Sequence, residues 1–260
     1  MADPVRYEVR GPAAWLTIDR DERRNALSDD VVSGLLEGLA RAAEDPAARV
    51  VVLTGAGQRA FCAGGDLAGN LGPDEGRVQS HDRRGRIGQL LRVLAVHPQP
   101  VIARVNGVAL AGGFGLMMAC DLVVAAEDVE VGTPEIHLGL WPYMISAVVA
   151  RDVPRKVVAE MMMTGRRYSA GEAERWGMLN RVVPRAELDA AVDELVDEVA
   201  SKSPLILRLG KQALFHAQDM GFDEALAYLQ AMLTVNLESE DVAEGVSAFL
   251  QKRTPEWKGR

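Results

Sequence analysis

Two glycine-rich stretches carry the residue types and spacing in this chain that suit chemistry. They are Phe61-Cys62-Ala63-Gly64-Gly65-Asp66-Leu67 and Asn106-Gly107-Val108-Ala109-Leu110-Ala111-Gly112-Gly113-Phe114-Gly115-Leu116. Glycine lets a ligand approach the main chain closely and permits backbone angles closed to other residues. A helix opening at Gly112-Gly113 presents free N–H groups and a positive dipole end to a developing anion. Two such N–H groups from separate loops, meeting at one carbonyl oxygen, make an oxyanion hole. Each stretch alone fits tight turns and close helix–strand packing equally well. Neither contains G-x-G-x-x-G or GK[ST], and no G-x-S-x-G elbow occurs, so dinucleotide binding, a P-loop and a serine hydrolase are disfavoured.

The elements that must position these stretches alternate between strand and helix. Tyr7–Arg10 and Ala13–Ile18 read as a hairpin about Gly11-Pro12. Ser28 reads as an N-cap with Asp29 and Asp30 in the first turn, before Val31, Val32, Leu35, Leu36 and Leu39 at helical spacing. Val50–Leu53 is a buried strand stopped by Thr54-Gly55-Ala56-Gly57. A second round follows: a stripe of Ile87, Leu90, Leu91 and Leu94, the strand Val101–Val105, the turn Asn106-Gly107 and a short helix reaching Cys120. Leu122–Ala125 is a third buried run. The recurrence predicts an α/β fold, a stacked ββα core with mostly parallel pairing.

After Pro154 the strand signal nearly vanishes. Ser169-Ala170-Gly171-Glu172 has capping-box spacing, and helices are expected over about 186–200, 205–218, 223–237 and 240–252. The Met161-Met162-Met163 run reads as buried helix filler rather than a metal site. The polar stretch from Ala68 to Arg86 shows no periodicity and reads as a long connection.

With 260 residues and 48% hydrophobic content, the chain can bury a substantial core. A formal charge of −8 argues against nucleic acid as the main partner, and the short basic runs read as solvated surface. No window supplies the roughly 20 apolar residues of a membrane helix, and the N-terminus lacks the pattern of a secretion signal. Cys62 and Cys120 have neither metal-ligand spacing nor a disulfide framework. A cytoplasmic protein is the expectation, with no metal or redox cofactor implied.

Taken in order, the motifs resemble the crotonase (enoyl-CoA hydratase/isomerase) superfamily over nearly the whole chain. The likeness includes Arg24-Asn25-Ala26-Leu27, the FCAGGDL element, Val105-Asn106-Gly107, Ala111-Gly112-Gly113, Cys120-Asp121-Leu122, Thr133-Pro134-Glu135-Ile136 with Leu138-Gly139, and Thr164-Gly165. It implies a ββα core over 1–195 and a helical trimerisation region over 196–260, in a trimer or a dimer of trimers. The substrate it implies is an acyl-coenzyme A thioester of the kind met in fatty acid metabolism, with no further cofactor.

Carried over by position, the resemblance places the oxyanion-hole N–H groups on Gly65 and Gly112. Ala26, Ala63 and Leu67 fall where coenzyme A is surrounded, and Lys252, with Lys258 beyond it, where its phosphates are met; a solvated helix end is the plain alternative for these lysines. The 68–86 stretch matches the variable loop over the acyl group. Trp141 and Met144 are expected to line or back the acyl pocket, and Tyr143 sits where some decarboxylases of the superfamily carry a tyrosine. His137 is read as structural. Hydratases of this type use two glutamates. This chain has one, Glu135, and Gly115 stands where the other would be, so the second-acid position is expected to be vacant and to face the pocket. Loss of a proton-transfer group commonly costs about 10²–10⁴-fold, so isomerase-like proton transfer by Glu135 is favoured over hydration. A loop acid such as Asp74 or Glu75 would restore weak hydration. The alternatives are a decarboxylase or thioesterase keeping the same oxyanion hole, or a non-catalytic acyl-CoA-binding homologue.

Overall fold

The computed structural model describes residues 3–66 and 76–260. The chain begins with the hairpin β1 (Val5–Arg10) and β2 (Ala13–Ile18), followed by α1 (Asp29–Glu44) and β3 (Val50–Gly55). Ser28 caps α1 by accepting a hydrogen bond from the Val31 N–H. Every residue of β2 and β3 is buried, which explains their largely apolar character, broken only by Thr17 and Thr54: strands covered on both faces need no polar alternation.

The core is then built by repetition. β3 is followed by β4 (Ala60–Cys62) and α2 (Arg77–Val96). β5 (Val101–Val105) is followed by β6 (Val108–Leu110) and α3 (Gly112–Met118). β7 (Leu122–Ala126) is followed by β8 (Glu130–Gly132) and a 3₁₀ turn over Pro134–Leu138. The first strand of each round joins one sheet and the second joins another. The larger sheet runs β1-β2-β3-β5-β7-β10 and the smaller β4-β6-β8-β9, where β9 is Arg167–Ser169 and β10 is Arg181–Val183. Pairing is parallel except at β1–β2 and β8–β9. Asn106, buried at the crossing between sheets, bonds the Gly55 N–H and the Gly55 and Gly57 carbonyls, and so ties two rounds together.

Helices close the faces. α1 packs on β1 and β2, and α7 (Leu188–Ala200) covers β3, β5 and β7. Between them come α4 (Tyr143–Asp152), α5 (Arg155–Thr164) and α6 (Ala170–Arg175), the last opened by the Ser169/Glu172 capping box. The tail is helical: α8 (Pro204–Ala217), α9 (Phe222–Leu237) and α10 (Glu240–Gln251). None of the residues of α9 is buried, and Phe222 and Phe249 are 79% and 82% exposed.

Three sequence expectations need correction. β9 and β10 lie beyond Pro154; at three residues each they are too short to show a period of two. α2 already begins at Arg77, so residues 77–86 are helix rather than connection, their polar character matching an exposed first half. Met163 is 66% exposed, so only Met161 and Met162 of the methionine run are buried.

Candidate active site

The Arg24–Leu27 turn sets one wall of the site. Arg24 and Asn25 both adopt left-handed backbone angles, φ 52° and 55°. Asn25 is fully buried; its amide donates to the Ala56 and Ala60 carbonyls and accepts from the Arg20 N–H. That replaces the hydrogen bonds a buried turn would otherwise lack. The turn then holds the first glycine stretch. The Ala63 N–H bonds the Arg24 carbonyl at 3.1 Å, the Leu27 N–H the Gly64 carbonyl at 2.8 Å, and the Asp66 N–H the Leu27 carbonyl at 3.0 Å. In this one-residue parallel bridge Gly64 and Asp66 face Leu27, so the Gly65 N–H is directed the other way. Arg20 fastens the end, its guanidinium reaching the Ala26 carbonyl at 3.1 Å and the Asp66 carboxylate at 3.2 Å.

The second stretch meets the first at close range. Ala111 has φ 52° and ψ −128°, a strained conformation for a residue with a Cβ. Its N–H donates to the Gly132 carbonyl at 2.9 Å, and the chain then turns into α3. A Cβ on Gly113 would lie 2.1 Å from the Cys62 carbonyl oxygen, and one on Gly64 would lie 2.7 Å from the Ala111 Cβ. Only glycine permits that approach. A Cβ on Gly112 would stand 3.7 Å from the Gly65 nitrogen. The two N–H groups are therefore neighbours, and neither has a hydrogen-bond partner among the described residues. The adjacent Cys62 thiol is buried, which pushes its pKa up to about 12 and leaves it inert as a nucleophile.

Glu135 stands on the 3₁₀ turn after β8, three residues past the carbonyl that Ala111 bonds. The Leu140 N–H returns to the Glu135 carbonyl at 3.1 Å and closes the turn. The side chain is half-buried, and its Oε2 is a buried atom with no partner among the described residues. Desolvation raises its pKa above the usual carboxylate range, partly offset by its own backbone N–H. The Thr133 hydroxyl two residues earlier is likewise buried and unpartnered among the described residues.

The remaining expected residues divide. Ala26 and Ala63 are half-buried beside the glycine wall, and Trp141 is half-buried against the core. Leu67, Asp74 and Glu75 lie outside the described residues. Tyr143 is 77% exposed, so its ring lines no enclosed pocket in this chain, and Met144 is partly exposed as well. His137 lies on the 3₁₀ turn, against Gly165 at the end of α5. Lys252 is exposed in a left-handed cap of α10, while Lys258 pairs with Glu240 at 3.3 Å.

Gly115 differs most from expectation. It is buried, and a Cβ there would fall 2.2 Å from the Ile145 Cγ2 and 2.5 Å from its Cβ. The position is not vacant; an isoleucine from α4 fills it. A groove of about 920 Å³ does exist, lined by Met118, Val148, Leu207, Leu214, Phe215 and Trp257 among others. Gly65, Gly112 and Glu135 do not line it.

Two stacked sheets wound from ββα rounds, with bare N–H groups where β4 meets α3, define the crotonase fold. The sequence profile of the enoyl-CoA hydratase/isomerase family matches residues 10–260, and the chain belongs to that family. Carnitinyl-CoA dehydratases of Proteus mirabilis and Salmonella typhimurium are each 35% identical to it over the full length of both chains. The crystal structure of an enoyl-CoA hydratase from Mycobacterium smegmatis superposes with a TM-score of 0.92 at 33% identity, covering 98% of each chain. That of human enoyl coenzyme A hydratase domain-containing protein 3 gives 0.92 at 31% identity, covering 98% of this chain and all of the other.

Sequence reasoning missed Arg20, Thr133 and Ile145. The Arg20–Asp66 pairing spans 46 residues and leaves no local signal. Thr133 stood only within the Thr133-Pro134-Glu135-Ile136 motif, with no role of its own. Ile145 begins a helical apolar pattern, and nothing in one sequence says that its branch meets a glycine thirty residues earlier.

Proposed function

We propose that this acyl-CoA enzyme moves a proton at the carbon beside the thioester carbonyl, with Glu135 as the base. The Gly65 and Gly112 N–H groups hold the oxygen of the enolate formed as that proton leaves. The C2 proton goes to the carboxylate, and the C–H electron pair enters the enolate. Return of the proton at C4 of a 3-enoyl ester gives the 2-enoyl ester without adding water; the reverse takes the proton from C4 of the 2-enoyl ester and returns it at C2. Ala26, Ala63 and Leu67 border the coenzyme, and Lys252 meets its phosphates. The exposed apolar faces of 196–260 assemble the trimer or dimer of trimers.

The observation that carries this reading is the buried, unpartnered Glu135 oxygen on the segment next to two unpartnered N–H groups. Buried polar atoms are nearly always paired, so such a concentration of free ones fits a site built for a ligand. The full-length likeness to carnitinyl-CoA dehydratases favours a second reading, reversible loss of water from a 3-hydroxyacyl ester.

The test is deuterium incorporation from solvent at C2, measured beside turnover of 2-enoyl-, 3-enoyl-, 3-hydroxyacyl- and malonyl-type CoA esters. Exchange and double-bond migration are expected in the wild type. Glu135→Gln should lower exchange by about 10²–10⁴-fold while coenzyme affinity holds. Hydration outpacing exchange would select the second reading. Loss of CO₂ from the malonyl-type ester would select a decarboxylase, and no exchange at all a non-catalytic role.

A further inference from the structure

We infer that Ile145 determines which reaction this site performs, because it seals with hydrocarbon the flank of α3 that a second proton-transfer group and a water would need. The inference rests on the proton-transfer reading above. Gly115 lies one turn beyond Gly112 on α3, and residues three apart share a helix face. Gly112 and Gly115 therefore share one face of α3, and at Gly115 that face meets the Ile145 side chain, 2.2 Å from where a Gly115 Cβ would be. Ile145 is 4% exposed, and a β-branched side chain in a helix is held to essentially one χ1 rotamer, so the plug cannot swing aside.

Ile145 is also rigidly tied to the base. Between Glu135 and α4 the chain is short, closed by the Leu140 N–H on the Glu135 carbonyl at 3.1 Å and the Tyr143 N–H on the Trp141 carbonyl at 2.8 Å. One compact unit thus presents a carboxylate and, ten residues on, an aliphatic wall. Adding water to a 2-enoyl thioester requires its oxygen to bond C3, one of its protons to pass to a base, and a proton to reach C2. With Glu135 the one carboxylate of this unit and isoleucine beside Gly115, the flank of α3 at Gly115 gives that water neither the space of a second side chain nor a second carboxylate. The enolate is left with reprotonation by Glu135. Gly115 and Ile145 are thus a matched pair, the glycine existing to admit the isoleucine.

The experiment compares wild type, Gly115→Glu, Ile145→Ala and the double variant in the full-length protein. Each is assayed for hydration of a four-carbon 2-enoyl-CoA and for C2 deuterium incorporation. Gly115→Glu alone should gain no hydration, since its side chain meets Ile145. The double variant should hydrate about 10²-fold or more faster than wild type. Should the glutamate variants fail to fold, Ile145→Ala alone still decides: opening the flank to water should raise hydration about tenfold, less than the roughly 10²–10⁴-fold that a positioned proton-transfer group adds. The inference is overturned by a double variant that exchanges C2 hydrogen yet hydrates at the wild-type rate. It is equally overturned by a gain in Gly115→Glu alone as large as in the double variant, or by no gain in Ile145→Ala. Absence of C2 exchange in the wild type would instead sink the underlying reading, so the two failures are told apart.

Discussion

The two walls of the site are built on different principles. On the glycine wall, Arg24–Leu27, Ala63–Asp66 and Ala111–Gly113, main chain meets main chain, and the residue at each position follows from sterics. Gly113 cannot carry a Cβ because the Cys62 carbonyl stands where it would go, and Gly64 is barred by Ala111. The second wall, Thr133–Ile145, contributes side chains instead: a carboxylate oxygen and a hydroxyl without partners among the described residues, an indole packed on the core and an isoleucine branch against Gly115. On the function proposed above, the first wall offers two N–H groups to a carbonyl oxygen, and so suits every reaction that passes through a thioester enolate. On that reading it is the side chains of the second wall that distinguish one such reaction from another. Reaction class should therefore be read from the second wall and family membership from the first.

The sharpest way to break this comparison is to put a methyl group into the glycine wall. Gly113→Ala should cost about 4 kcal/mol or more, because backbone at 2.1 Å cannot yield as a flexible side chain would. The expected outcome is little soluble protein and a collapsed thermal midpoint. A Gly113→Ala protein with wild-type melting would show the wall to be far softer than its contacts imply.

A smaller effect separates the wall's chemistry from its architecture. Gly112 is the first residue of α3, where proline is tolerated and its missing N–H costs no helical hydrogen bond. Gly112→Pro should leave helical circular dichroism intact and lower C2 exchange by about 10²–10³-fold, the range for losing one oxyanion donor. Unchanged exchange would mean that the Gly112 N–H never meets the enolate oxygen.

The difference between the walls also explains what could be read in the sequence. Backbone-dominated parts leave local signatures: paired glycines, the Arg24-Asn25-Ala26-Leu27 turn, unbroken apolar runs for strands buried on both faces. From these the ββα core and the tail helices were legible, while the pairing of Gly65 with Gly112 came from the family resemblance. The side-chain wall was not, because its decisive contacts are long-range. Gly115 read as a gap, whereas it is the socket for Ile145. Tyr143 was expected in the substrate site from its position in the family resemblance, yet the first turn of α4 turns it outward to 77% exposure while burying Ile145 two residues later. Helical phase at a chain reversal decides that, and no spacing rule fixes the phase.

The smallest expected effect lies in the side-chain wall and reads Glu135 without substrate. Burial raises its pKa, so the folded chain holds this proton more tightly than the unfolded chain does. The sign follows directly. Stability from this group is fully present below the ordinary glutamate pKa of about 4.3, and is lost as pH rises through the higher folded value. A glutamine side chain at this position does not titrate and carries no such penalty. Glu135→Gln should therefore melt with the wild type near pH 4 and above it by a degree or so, ~1 °C, at neutral pH. The gap should open with increasing pH and then level off once the folded carboxylate is fully ionised. Differential scanning fluorimetry across that range, on both proteins at one concentration, measures it. A gap that stays flat would mean that the carboxylate is solvated in both states. A gap of opposite sign would mean that a cation, supplied in the assembled protein, holds the charged form. Either result would remove the desolvated base from the side-chain wall and leave the glycine wall facing a different partner.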